Sequence, residues 1–467
     1  MVQIQRTVSP IDGAVFVERP LATPAAVDRA LHVASKAYES WRRVPLEQRA
    51  ALCTAWVNAV TAQKDVLAAE LTQQMGRPIR YSAGEINGFA DRGHTMIRLA
   101  TSALAPIVPP AKDGFLRSIR REPVGVVVVL APWNYPWLTA VNAIVPALMA
   151  GNTVLLKHSD QTPLVAERLS EAALAAGIPE GVFQHIHMSH ESTAGVVADS
   201  RVAYVAFTGS VEGGRAVHQA AAGRFKAVGL ELGGKDPGYV RADADLDAAI
   251  DGLVDGAFFN SGQSCCGIEH IYVHRDLYDR FVEGAVAMVE KYTLDDPTKQ
   301  DTTLGPVVRA RNAAGIQAQV DDAIARGARA LIDPKLFPEA GRRGLPYLAP
   351  QVLIGVDHTM TVMQEETFGP VVGIMPVSGD DEALRLMNDS RYGLTAAIYS
   401  RDVEAASALG DRLETGTVFL NRCDYLDPEL AWVGVKDSGR GCTLSSVGYE
   451  SLTRPKSFHF RLPPETK

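Results

Sequence analysis

Cys265 closes the segment Gly262-Gln263-Ser264-Cys265, 34 positions after Glu231 in Leu230-Glu231-Leu232-Gly233-Gly234-Lys235. A thiol flanked by small and polar residues is open to substrate, and its thiolate is a strong nucleophile. A carboxylate within reach could activate the water that frees an acyl product. Cys266 is the adjacent rival thiol, and residue type alone leaves the pair equivalent. Upstream lies Pro132-Trp133-Asn134-Tyr135-Pro136. Its asparagine, set between prolines, reads by itself as a turn residue.

These groups need a scaffold, and the spacing of apolar residues predicts one. Thr23-Pro24 reads as an N-cap with proline at the first helical position. Val27, Ala30, Leu31, Ala34, Tyr38 and Trp41 then recur at helical spacing. A second helix is expected from about Pro45, and a third ending at Gly76 with Pro78 beyond it, so the first third reads as helical. From Val124 the pattern changes. Val124–Leu130 is a continuous β-branched run, as in a strand buried on both faces. Strands over 153–157, 182–187, 202–207 and 226–231 alternate with helices over 138–149, 163–176 and 213–222. A second alternating region follows Gly234, with a helix over 246–259 leading into the Cys265 loop. Such alternation implies β-α-β units and parallel sheets, whose ligands sit beyond the carboxyl ends of the strands. Phe115–Arg121 and Ser457–Leu462 alternate like strands outside both regions. Pro106–Pro110 and Pro334–Pro346 read as surface loops.

At 467 residues the chain has room for two or three domains. Its net charge of −8 and lack of a polybasic run argue against a nucleic-acid partner. The strongest apolar run is too short to span a bilayer, and residues 1–20 lack the apolar core of a signal peptide. No membrane partner and a cytoplasmic location are expected. The five cysteines, with no C-x-x-C, argue against a disulfide framework, and no metal is expected.

Phe207-Thr208-Gly209-Ser210 ends a strand, with Gly213-Gly214 beyond it. A strand running into a helix N-terminus offers free N–H groups to an anion, although glycines after a strand are more often only a tight turn. Lys157 ends another strand, where a lysine is well placed for a ligand or is simply solvated.

Taken together, the Cys265 and Glu231 segments, Pro132–Pro136 and Glu366-Thr367-Phe368-Gly369-Pro370 resemble the aldehyde dehydrogenase superfamily over about Glu70 to Phe460. The resemblance implies an α/β fold: two Rossmann-like domains with parallel sheets, for cofactor and catalysis, plus a small β extension that joins subunits. The expected division is 1–110 with 123–233 for NAD binding, 234–437 for catalysis, and 111–122 with 438–467 as bridging segments of a homodimer or homotetramer. The resemblance makes Cys265 the nucleophile, with Cys266 packed behind it. Asn134 and the Cys265 N–H become oxyanion donors, and Glu231 the base. It places Trp133, Lys157, Asp160, Gly209, Ser210, Glu366 and Phe368 on the cofactor. A carboxylate at Asp160 would repel a 2′-phosphate, so NAD is expected over NADP. Tyr135, Thr139, Asn142 and Ser264 are the expected pocket wall.

The reaction implied is oxidation of an aldehyde to its acid through a thiohemiacetal and a thioester. Thr443 stands where some members carry a second, proton-relaying glutamate. Asn142 and His270 stand where semialdehyde-oxidising relatives carry arginines, so an uncharged aliphatic or aromatic aldehyde is expected. The acids of 421–429 leave an amino-aldehyde open. A coenzyme A-acylating enzyme, which would lack Glu231, and a non-catalytic binding protein on the same fold are the other readings.

Overall fold

The computed structural model describes residues 3–463 apart from Arg343, so the extreme ends of the expected first and last segments lie outside the described residues. The run expected to be buried on both faces is the strand Val126–Ala131, and all six of its residues are buried. It lies inside a six-stranded sheet ordered Gly439–Arg440, Ala227–Glu231, Val202–Thr208, Val126–Ala131, Thr153–His158 and Phe183–His185. Every neighbouring pair is parallel except the first, where Gly439 and Arg440 run antiparallel to Glu231 and Leu230.

The second region forms a seven-stranded sheet. Its order is Arg329–Ala330, Gln351–Ile354, Val371–Val377, Ile268–His274, Asp236–Val240, Thr395–Tyr399 and Thr417–Leu420. Only Arg329–Ala330 runs antiparallel. The predicted helices form with the expected ends. Thr23 caps Pro24–Trp41 by accepting from the Ala26 N–H, and Gly76 ends Lys64–Met75 in the left-handed region, where glycine has no Cβ penalty. Phe115–Pro123 and Thr453–Arg461 pair with each other, antiparallel, from Pro123↔Thr453 to Phe115↔Arg461. Among the described residues, no helix is long and apolar enough to cross a membrane.

The structure corrects the sequence reading in three places. The N-terminus is not wholly helical, because Ile4–Val8 and Val15–Pro20 form an antiparallel hairpin; the rest of the first third is helical as expected up to the 25-residue helix Ile79–Ala103, whose bounds the sequence reading did not give. Asp236–Val240 is an interior strand although its Asp-Pro-Gly start is poor in strand formers. There the chain gains by packing, since a Cβ on Gly238 would lie 2.4 Å from Leu253. Pro334–Pro346 is not all surface, because Phe337 is buried in the core beneath the seven-stranded sheet.

Candidate active site

Thr208, Glu231, Trp133 and Lys157 lie at or just beyond the carboxyl ends of parallel strands of the six-stranded sheet. The Cys265 loop comes from the other region, after the helix Leu246–Phe258. It makes a tight turn in which Asn260, Ser261 and Gly262 all have positive φ. Gly262 has no room for a side chain, since a Cβ would sit 2.1 Å from the Gly369 carbonyl oxygen. The Cys265 turn and the Glu366–Pro370 turn are therefore packed backbone to backbone.

Cys265 and Glu231 open onto one cavity of about 490 Å³. Tyr135, Thr139, Asn142 and Ser264, the expected pocket wall, all line it. The two thiols differ in setting. Cys265 is partly exposed, and Cys266 is buried. The Cys266 thiol donates to Asp424 Oδ1 at 3.0 Å, and Ser264 Oγ donates to the same oxygen at 2.8 Å. The adjacent Cys265 thiol, burial and the Asp424 carboxylate all push the Cys266 thiol upward, away from its thiolate. Burial raises Asp424 itself to about 6.

Glu231 Oε2 accepts from Thr208 Oγ1 at 3.2 Å, and Oε1 accepts from Thr443 Oγ1. Desolvation raises its pKa, against the two hydroxyl bonds and the charge of Arg92. It is thus a weaker acid than an exposed glutamate and a better proton acceptor. Thr443, where a relay glutamate was sought, holds this carboxylate through a hydroxyl.

Asn134 Nδ2 donates to the Gln263 carbonyl, two residues before Cys265, at 3.2 Å. This places the amide beside the nucleophile's loop. A network that the sequence reading missed holds it there. Arg77 donates to the Asn134 carbonyl at 2.6 Å and to Asn260 Oδ1 at 3.0 Å, and it pairs with Glu85. Glu85 Oε1 in turn accepts from the Trp137 N–H at 2.8 Å, at the start of the helix Pro136–Ala150. Both charges of the Arg77–Glu85 pair are almost wholly buried. Breaking such a pair leaves a charge in low dielectric. Glu85→Leu is expected to lower the unfolding free energy by about 3–5 kcal/mol in urea titrations. A loss below about 1 kcal/mol would mean that the two oxygen acceptors left to Arg77 suffice.

Arg92 was also missed. It lies on Ile79–Ala103, where Ile86, Phe89, Met96 and Ala100 are buried at helical spacing, and that recurrence was the available signal. Arg92 lines the cavity and donates to the Leu138 carbonyl at 3.1 Å and to Asn142 Oδ1 at 3.3 Å. Among the described residues, Asn142 Nδ2 and Tyr399 OH are buried without a partner, and both residues belong to the cavity wall. His270 is not part of that wall. It is fully buried on Ile268–His274, with Nδ1 3.2 Å from Tyr272 OH and its ring stacked on His358. A strand residue facing away from the cleft cannot report on the substrate, so the comparison with arginine holds only at Asn142.

The expected cofactor residues lie at or beyond strand ends of the six-stranded sheet, with Glu366 and Phe368 on the turn that leads into Val371–Val377. The Trp133 and Phe368 rings meet edge to face, 5.6 Å apart. Ser210 caps the helix Val211–Ala221, its Oγ accepting from the Gly213 N–H at 3.1 Å. The Gly209 N–H is already engaged with the Glu231 carbonyl at 3.0 Å, so Gly209 offers clearance rather than a donor. Lys157 is largely desolvated at its strand end, which lowers its pKa. Among the described residues, the Glu366 carboxyl group has a single hydrogen bond, from the Gly234 N–H at 3.2 Å. Desolvation in the cleft and the Glu269 carboxylate push it up to about 8. Glu269 itself is fully engaged with Lys235, Thr367 and Phe368. A carboxylate so poorly satisfied suits a ligand bearing hydroxyl donors, and a ribose diol supplies two. The residues present therefore fit a nicotinamide dinucleotide.

The Aldehyde dehydrogenase family signature matches residues 3–458. The chain is 35% identical to a 3,6-anhydro-alpha-L-galactose dehydrogenase of Streptomyces coelicolor over 97% of this chain and 92% of that one. It is 34% identical to an NADP(+) succinate-semialdehyde dehydrogenase of Deinococcus radiodurans, over 96% and 93%. The crystal structure of an NAD-dependent aldehyde dehydrogenase from Sinorhizobium meliloti superposes with a TM-score of 0.95 at 34% identity, covering 100% of this chain and 93% of that one.

Proposed function

Because the chain belongs to the aldehyde dehydrogenase family, an NAD(P)-dependent group of enzymes, we propose that it oxidises an uncharged aldehyde to the carboxylic acid by way of a Cys265 thioester. The observation that carries this reading is the shared cavity of Cys265 and Glu231, on whose wall Cys265 is partly exposed while Cys266 is buried and bonded to Asp424. Cys265 Sγ adds to the aldehyde carbon. The thiohemiacetal oxygen gains negative charge, which the Asn134 amide and the Cys265 N–H stabilise. Trp133 and Phe368 would wall a nicotinamide ring and Glu366 would hold its ribose; the bound dinucleotide would supply the hydride acceptor for the C–H bond of this carbon. Glu231 takes a proton from water, the water attacks the thioester carbon, and Cys265 leaves as thiolate. Glu231 argues against transfer to coenzyme A, and the intact set of Cys265, Glu231 and Asn134 argues against a non-catalytic role.

The cavity's charges support the uncharged substrate. Asp91, Asp255 and Asp424 line it along with Arg92 and Arg422. Arg92 bonds Asn142 and the Leu138 carbonyl through Nη1 alone, so a distal carboxylate meets three aspartates against this one inner cation. The unpartnered Asn142 amide instead suits a neutral oxygen on the substrate. A purified sample is expected to give higher kcat/KM with uncharged aldehydes than with succinate semialdehyde, followed by NAD(P)H absorbance. The opposite ranking would make Arg92 a carboxylate clamp and refute the uncharged reading.

We further place residues 1–110 and 123–233 in the cofactor domain and 234–437 in the catalytic domain. The paired strands Phe115–Pro123 and Thr453–Arg461, with Leu116 and Phe460 exposed, support the bridging role of 111–122 and 438–467 in a homodimer or homotetramer. Five free cysteines suit a reducing compartment, hence the cytoplasm.

A further inference from the structure

The expectation of NAD over NADP treated Asp160 as a lone carboxylate, and it is not alone. Arg309 reaches it from the other side of the cleft, with Nη2 2.7 Å from Asp160 Oδ1. Its Nε donates to Gln161 Oε1 at 3.0 Å. Arg309 immediately precedes the helix Ala310–Ala325, and it makes no side-chain cap there. Its side chain is instead committed to residues 160 and 161.

Three charged groups therefore meet at this end of the cleft: Lys157, Asp160 and Arg309. Partial burial pushes Asp160 up, but Arg309 and Lys157 outweigh it and hold its carboxyl below the usual range, so it is ionised at neutral pH. The local sum is one positive charge, not one negative charge. A guanidinium has five N–H donors in a planar fork that matches phosphate as well as carboxylate. Nη1 of Arg309 has no hydrogen bond among the described residues. The pair is also open to solvent, with the side chains 26% and 52% exposed, so a phosphate can approach it without a change in packing.

We propose that Arg309 is a cofactor-specificity residue: it neutralises Asp160 and offers its remaining donors to the 2′-phosphate of NADP. This rests on the reading of Lys157 and Asp160 as the adenosine-ribose end of the cleft. Without Arg309 the local sum falls to zero, with Asp160 left beside Lys157 alone; its carboxylate would then accept from the free 2′-hydroxyl of NAD and oppose a phosphate. One arginine would thus convert a carboxylate that excludes NADP into a site that admits it.

Equilibrium binding tests this without turnover. Quenching of protein fluorescence is titrated with NADPH and with NADH on the full chain, for wild type, Arg309→Ala and Asp160→Asn, at one fixed salt concentration. Arg309→Ala is expected to shift the Kd ratio at least fivefold toward NADH. Asp160→Asn is expected to shift it in the opposite sense, because the phosphate then meets Arg309 without a competing anion. Any smaller shift in Arg309→Ala, or a shift toward NADPH, overturns the proposal. Arg309→Gln removes the charge at similar side-chain length and serves if the alanine variant fails to fold, with the same fivefold shift toward NADH expected and any smaller shift overturning the proposal. Wild-type protein that binds both nucleotides, with a ratio indifferent to Arg309→Ala, refutes only the arginine's role. Wild-type protein that binds neither refutes the cofactor reading as well.

Discussion

Cys265→Ala abolishes aldehyde oxidation, with NAD(P)H production falling by on the order of 10⁴-fold or more, because no acyl intermediate can form once a covalent catalyst is deleted. Cys266→Ala retains most of the activity. The Cys266 thiol is buried and hydrogen-bonded to Asp424, so its loss is a packing change of about 1 kcal/mol, at the scale of ordinary point mutants. The two variants are compared by steady-state rates and by urea denaturation. Peptide mapping after a slow substrate-like electrophile gives an independent check, with the label expected on Cys265. A label on Cys266, together with an active Cys265→Ala enzyme, would reverse the assignment of the two thiols.

Glu231→Gln separates acylation from hydrolysis. The amide cannot take a proton from water, so the thioester accumulates. Rapid mixing should show up to one NAD(P)H per active site, followed by a steady rate reduced by roughly 10²–10⁴-fold, the usual range for a lost general base. Thr208 and Thr443 donate to different oxygens of the Glu231 carboxylate; the amide oxygen keeps one of these bonds, and the other hydroxyl can accept from the amide NH2 instead. The pH dependence follows from the direction of the Glu231 shift. Desolvation raises its pKa, so the active carboxylate is lost on acidification sooner than an exposed glutamate, whose pKa is about 4.3. Where deacylation limits turnover, the wild-type rate should therefore rise with pH through that higher value, and the small residual rate of Glu231→Gln should not follow it. Normal turnover in this variant would refute the assigned role.

Much of the fold was legible because local signals are strong where burial is complete. Val124–Leu130 could only be a doubly buried strand, and Thr23, Gly76 and Pro78 marked helix ends by hydrogen-bonding and φ preferences that need no tertiary contact. The hairpin Ile4–Val8/Val15–Pro20 and the strand Asp236–Val240 were not legible. The first is largely exposed, so its apolar periodicity is weak, and the second follows packing against local propensity. The site divides in the same way. The resemblance of their motifs to the aldehyde dehydrogenase superfamily marked Cys265, Glu231 and Asn134 as candidate reacting groups, whereas residue type alone left the two thiols equivalent and Asn134 a turn residue. The difference in exposure between the two adjacent thiols comes from the turn through Asn260, Ser261 and Gly262 and from Asp424, which holds Cys266 from 158 positions further along the chain. The same holds for Arg77, Glu85 and Arg92 under the cavity, for His270 turned away from it, and for Arg309 on Asp160. A charged residue far along the chain carries no mark of its partner. Only the folded chain, by bringing it within about 3 Å of an acceptor, converts a solvated charge into a positioned one.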